Sequence, residues 1–201
     1  MKPWPFGALA PFSFDLVEAD PPWRWEAYSA KGLEKSPEAQ YPTMSLDDIA
    51  ALPVGDLLAP GGVLFLWCTW PLVAIGAHER MMRAWGVCPK TGGVWAKRTR
   101  NGKLRWGPGY VQRSLCEPYL IGTLEGADVS GGRKLGNFIE TIADAALDGL
   151  AREHSRKPDE VYRHMEALSP NARRASLFSR QSRQGWATWG DQATKFDGAA
   201  A

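Results

Sequence analysis

Long apolar runs are missing from this 201-residue chain, and nothing in it approaches the roughly 18 consecutive apolar residues of a membrane-spanning helix. A secretory leader is missing as well, because the opening Met-Lys-Pro-Trp-Pro-Phe lacks the charged-then-apolar layout and its two prolines would break such a segment. A cytoplasmic location is expected. Cysteine is scarce: Cys68, Cys88 and Cys116 are odd in number and scattered, which speaks against both an even disulfide framework and the paired spacing of a zinc site. Cys116, His154 and His164 have no spacing that recommends them as ligands, so reduced thiols and no metal are expected. An excess of one charge is also lacking. With 24 Lys and Arg against 22 Asp and Glu the chain carries +2, so any surface for a polyanion has to be a local patch. Internal repeats are absent, and the length and a 44% hydrophobic content fit one core. One domain over 1–195 with a flexible tail at 196–201 is expected.

What is present alternates between strand and helix signals. Residues 14 to 19 read as a strand that must end at Asp20-Pro21-Pro22-Trp23, where two prolines forbid ladder pairing. Ser45 with Asp48 resembles a helix-entry cap, and Pro53 keeps that helix short. Val63 to Cys68 is a continuous apolar run suited to a strand covered on both faces. One helix is expected from Pro71 to Gly86, then short strands at Val94 to Lys97 and Pro118 to Gly122. A helix over Asp159 to Leu168 follows Pro158, and Ser176 to Phe178 reads as a last buried strand before a hairpin-like aromatic stretch. Residues 98 to 113 and 125 to 136 read as surface loops. The alternation predicts an α/β sheet with helices on both faces.

Asp20-Pro21-Pro22-Trp23 is the strongest chemical feature, because ligands of open α/β sheets bind beyond the carboxyl ends of the strands. The N6 amine of adenine is a poor nucleophile, its lone pair being delocalised into the ring. Two acceptors for its hydrogens, the Asp20 carboxylate and the Pro21 carbonyl, would push the nitrogen toward a nucleophilic geometry. The prolines fix φ and donate nothing, and Trp23 would offer a face on which a base stacks. The bland alternative is a rigid turn. A second feature is the basic loop holding Lys97, Arg98, Arg100, Lys103, Arg105 and Arg113 without an acidic residue, with Trp106 and Tyr110 interleaved. It reads either as a solvated loop or as a clamp on a nucleic-acid backbone.

Further segments then fall in a shared order: Tyr41-Pro42-Thr43-Met44-Ser45, Leu66-Trp67, Trp95-Ala96-Lys97, Gly109-Tyr110, Glu117-Pro118, Glu153 to Glu160, Leu177 to Arg180, Gly185-Trp186 and Trp189-Gly190. In that order the chain resembles, from Phe14 to Gln192, the adenine-N6 methyltransferase family typified by the catalytic subunit of eukaryotic mRNA adenosine methyltransferase. The resemblance implies a Rossmann-like, S-adenosylmethionine-dependent fold in circularly permuted form, with the catalytic Asp20, Pro21, Pro22 and Trp23 ahead of the cofactor half. It places Asp20, Lys97, Ser155, Lys157, Phe178, Arg180, Asp191 and Gln192 on the cofactor. On the substrate side it places Trp23, Tyr41 and Glu117, beside Arg98, Arg100, Lys103, Arg105, Trp106 and Tyr110 of the basic loop. Many relatives carry Glu-Leu-Phe where this chain has Ser176-Leu177-Phe178, and Asn-Gln where it has Asp191-Gln192.

The expected activity is methyl transfer to adenine N6 in a nucleic acid, DNA favoured over RNA, with a homodimer or heteromer among the assemblies allowed. The competing readings are a catalytically silent nucleic-acid-binding partner of the same fold, or a methyltransferase acting on a small-molecule or protein amide or amine.

Overall fold

Strand β1, Phe14–Ala19, has the composition of a chain covered on both sides, and it lies near the middle of the sheet. Leu16 faces one core and Val17 and Ala19 the other. The computed structural model describes residues 3–24, 43–99, 101–107, 109, 111–127, 135–142 and 157–198. After β1 come α1 (Leu46–Ala50), a 3-10 turn (Val54–Leu57), β2 (Leu58–Trp67), α2 (Trp70–Ala74), α3 (Ala77–Ala84), β3 (Val87–Arg98), β4 (Cys116–Leu124), β5 (Phe138–Ile142), α4 (Asp159–Leu168), β6 (Arg174–Leu177) and β7 (Trp186–Trp189). Seven strands form one sheet in the order β5-β3-β4-β2-β1-β6-β7. Only β4 runs against its neighbours, and every other pairing is parallel.

Helix α4 covers one face, where Val161, Tyr162 and Met165 meet Leu16, Phe65, Trp67, Trp95, Tyr119 and Trp186. The opposite face is closed by Ile49 of α1, Val54 and Leu57 of the 3-10 turn, and Met81 and Met82 of α3, packed on Val17, Leu64, Leu66, Ala175 and Leu177. Each such side chain removed from water contributes on the order of 1.5–3 kcal/mol. The expected α/β, Rossmann-like architecture with helices on both faces is therefore the fold. Ser45 caps α1 by accepting the Asp48 N–H at 3.1 Å.

Several expectations need correction. The helix expected from Pro71 to Gly86 is two helices, because Gly76 adopts a left-handed φ of 68° and turns the chain between them. Strand β3 spans 12 residues, not the four expected, since Pro89, Gly92 and Gly93 carry no strand signal yet lie in its ladder with β4. The last buried strand is Arg174–Leu177 and stops before Phe178, whose φ is 59°. The terminal stretch is no hairpin: Trp186–Trp189 pairs in parallel with β6. The tail is docked further than expected. Phe196 is 4% exposed, and Asp197 accepts both the N–H and the hydroxyl of Ser182. The first part of the basic loop is also ordered as a tight extension of β3, with Thr99 donating to Lys103 and Arg105 to Lys97 through their backbones.

Candidate active site

The strand directions bring four charged side chains to one end of the sheet. Asp20 follows the carboxyl end of β1, Lys97 lies near the carboxyl end of β3, Glu117 near the amino end of the reversed β4, and Lys157 just ahead of α4. They form a chain of alternating charge. Lys97 Nζ is 2.6 Å from Glu117 Oε1, Lys157 Nζ is 2.9 Å from Glu117 Oε2, and the same Nζ is 3.0 Å from Asp20 Oδ2. The Lys157 side chain is 9% exposed, and its ammonium lies 4.6 Å from the centre of the Trp67 ring. Lys97 Nζ lies 4.2 Å over Trp95. Buried cations need this kind of partnering, since leaving one unpaired costs several kcal/mol.

The protonation states follow from burial set against neighbours. Burial alone would raise Glu117, but Lys157 and Lys97 pull its carboxyl down to about 2. Burial would lower Lys157, and Asp20 and Glu117 reverse that and raise it. Asp20 stays raised above the ordinary value, because burial and the charge of Glu117 outweigh the attraction of Lys157.

The turn after β1 is held from several directions. Asp20 donates its N–H to Leu177 O at 3.4 Å, Pro22 O accepts the Met44 N–H at 2.9 Å, and Pro21 O accepts the Trp23 N–H at 2.8 Å. The Pro21 carbonyl expected to face a ligand thus already serves Trp23, although a carbonyl retains a second lone pair. Trp23 departs from its expected role. It is 7% exposed and packs edge-on to His78 with ring centres 4.8 Å apart, so its faces belong to the core. His78 is buried and held neutral, its imidazole lowered to about 4 by burial.

A narrow cleft lies beside Asp20, in this conformation wide enough for little more than a water molecule, lined by Glu18, Lys157, Tyr162, Ser176, Phe178 and Arg180 among others. Arg180 Nε donates to Gln192 Oε1 at 3.0 Å, and its guanidinium stacks 5.2 Å from Phe196. Phe178 packs edge-on against Trp189. Gly190 closes this corner with a φ of 154°, where a Cβ would come within 2.9 Å of Ser179 O and 3.0 Å of the Phe178 backbone.

The expected cofactor residues therefore divide. Asp20, Lys157, Phe178 and Arg180 line the cleft, and Gln192 supports it through Arg180. Lys97 is not in the lining and reaches the group only through Glu117, while Asp191 is solvent-exposed. Glu117, expected on the substrate side, is clasped between the two lysines. Ser155, Tyr41, Arg100 and Tyr110 lie outside the described residues.

In the basic loop Arg98 is structural, paired with Glu140 of β5 at 2.6 Å and donating to Gly102 O at 2.7 Å. Lys103 is exposed, Trp106 is 60% exposed, and Arg113 lies 5.5 Å over the Trp106 ring. Arg105 is fixed by its backbone bond to Lys97.

Sequence reasoning missed Glu18, Tyr162 and Ser176 in the cleft. The available signal was a charged residue between Val17 and Ala19 in an otherwise apolar strand. Among the described residues no group of three or more His, Cys, Asp and Glu could hold a metal ion, and no helix is long and apolar enough to cross a membrane.

The profile of the MT-A70 family matches residues 14–192. The chain is 30% identical over 183 residues to the "Putative N(6)-adenosine-methyltransferase MT-A70-like" of Medicago truncatula, covering 89% of this chain and 26% of the relative. It is 27% identical over 195 residues to the "N6-methyladenosine RNA methyltransferase MTA1" of Cryphonectria parasitica, covering 95% of this chain and 54% of that protein. It is 24% identical over 187 residues to the human "N(6)-adenine-specific methyltransferase METTL4", covering 92% of this chain and 38% of that one. The chain spans about a quarter of the length of the plant relatives and about half that of the fungal one. A matched segment running from the first strand to Gln192, around an Asp-Pro-Pro-Trp turn at the open end of the sheet, places the chain in the MT-A70 family.

Proposed function

We propose that this chain transfers a methyl group from S-adenosylmethionine to N6 of adenine in a nucleic acid. The observation that carries the reading is Asp20, set at the carboxyl end of β1 on the rim of the cleft and fixed by Lys157. The relatives' printed names, which specify adenosine, adenine or RNA, support the choice of acceptor.

The cleft suits the donor chemically. It offers carboxylates for cationic groups, Arg180 for a carboxylate, Ser176 and Ser179 for hydroxyls, and Phe178 for an adenine ring. When bound, S-adenosylmethionine supplies an electrophilic methyl on its sulfonium. The chain's own residues do the rest by positioning. Lys157 holds Asp20 through Oδ2, and we assign Oδ1, with the free lone pair of Pro21 O, to the two N6 hydrogens. Acceptors there grow more favourable as positive charge develops on nitrogen, and alignment supplies several further kcal/mol. Glu117 and Lys97 keep Lys157 from drifting. Because Asp20 has to be ionised to accept and its carboxyl is raised, the rate falls as pH drops, with the acid limb above the ordinary 3.8.

Polynucleotide substrate is preferred over a small amide because exposed Lys103 and the Trp106–Arg113 stack lie on the loop that continues β3 past Lys97. The deciding experiment is transfer of labelled methyl to matched single-stranded DNA and RNA oligonucleotides, and to the same oligonucleotides with adenine replaced. Label on adenine-containing strands alone supports the reading, and the ratio of the two sugars tests the preference for DNA. Label on neither overturns it.

A further inference from the structure

Glu18 is 1% exposed on β1, two residues before Asp20 and on the face of the sheet that α4 covers. The hydrogen bond to its carboxylate is short: Ser176 Oγ on β6 donates to Oε2 at 2.5 Å. Tyr162 of α4, Lys157 ahead of α4, Asp20 at the end of β1, and Arg180 and Arg183 from the β6–β7 connection share the same cleft wall. A carboxylate this buried is costly unless something compensates it. The two nearest cations are committed elsewhere, Lys157 to Asp20 and Glu117, and Arg183 to Asp159 at 3.2 Å and to Lys157 O. The burial site therefore lacks one positive charge of its own, at the wall of the cleft assigned above to a cationic methyl donor.

We propose that Glu18 is a specificity residue of the donor pocket, whose carboxylate favours the sulfonium of S-adenosylmethionine over the neutral thioether left after transfer. The inference rests on the methyltransferase reading of the cleft. Donor and product carry the same carboxylate, ammonium, ribose and base, and differ in the methyl and in the charge on sulfur. A negative wall group therefore discriminates between them by charge and promotes product release. Burial and the charge of Asp20 hold Glu18 at about 7, against the opposing pull of Ser176, Lys157 and Arg183. A cation arriving beside it lowers that value, so donor binding near neutral pH expels part of a proton and product binding expels less.

The test is isothermal titration calorimetry of the intact protein with S-adenosylmethionine and, separately, S-adenosylhomocysteine at about pH 7, each in buffers of different ionisation enthalpy. The buffer dependence gives the protons released. Release of up to about half a proton with the donor, and clearly less with the product, is expected from a group titrating near 7. In Glu18→Gln, which keeps the shape and an acceptor for Ser176, the excess of donor over product release falls and the donor-to-product affinity ratio falls by about tenfold, the equivalent of one pKa unit. Equal proton release for both ligands in the wild type, or an unchanged ratio in a folded Glu18→Gln, overturns the role of Glu18 while leaving the cleft as a donor site. Binding of neither ligand to the wild type overturns the methyltransferase reading itself.

Discussion

Lys157 shares one ammonium between two carboxylates, and that sharing decides how single substitutions behave. In Asp20→Ala the lysine keeps Glu117, so no charge is left stranded in the core. The fold should survive with wild-type circular dichroism while methylation is lost. A variant retaining more than about a tenth of the rate would limit the contribution of Asp20 to under about 1.4 kcal/mol, too little for the assigned role. Glu117 makes a different prediction. Its carboxyl is lowered from 4.5 to about 2, so its stabilising contribution is complete above 4.5 and is lost as pH falls toward 2. Lys97→Ala removes one of the two attractions and brings the folded value closer to 4.5, so the urea midpoint should be lower near neutral pH and should fall less on further acidification. Superimposable midpoint curves would assign Lys97 to solvent. At this scale Asp20 and Lys157 were legible because each sits in a short ordered string. Glu18 was not, because what makes it chemical is Ser176, 158 residues away on the neighbouring strand.

The strands and helices that read clearly are those whose signals are local. Helix α4 begins immediately after Pro158, and α1 begins at its serine cap, both as the sequence predicts. The elements that read poorly depend on partners. Pro89 and the glycine pair enter β3 because β4 supplies the ladder, and Trp186–Trp189 joins β6 in parallel across a connection that holds no helix, a pairing that no aromatic spacing announces. The turn after β7 carries the sharpest prediction at this level. Gly190→Ala would put a methyl group 2.9–3.0 Å from the backbone of Phe178 and Ser179 at a φ of 154°. Strain of this kind costs on the order of 1–3 kcal/mol. The displaced wall also carries Phe178 and Arg180, so a lower melting temperature should come with weaker donor binding in calorimetry. A variant that loses stability but binds normally would detach Gly190 from the site.

Across the whole molecule the near-neutral charge means that the proposed nucleic-acid affinity would have to come from a few cations, and the structure reduces the candidates. Arg98 is paired with Glu140 and Gly102, which makes exposed Lys103, on the same loop as exposed Trp106, the better test. Lys103→Ala should flatten the slope of log affinity against log salt by about 0.7–0.9, whereas Trp106→Ala should weaken binding with the slope unchanged. An unchanged slope in Lys103→Ala would move the contact surface elsewhere. The sheet class was legible from alternation, and the end of the first strand from the two prolines of one turn. The strand order was not, because only tertiary pairing defines it.

The connection from Phe178 to Gly185 makes a last consequence measurable. These residues supply one wall of the cleft and are also the only covalent link between β6 and the edge strand β7. Occupying the cleft therefore fastens an edge of the sheet. Native-state hydrogen exchange should show the Trp186–Trp189 amides slowing on addition of the donor, although the cleft lining does not include them. The gain in opening free energy should follow ligand excess, reaching about 2.7 kcal/mol at one hundred times the dissociation constant if that edge opens only with the cleft empty.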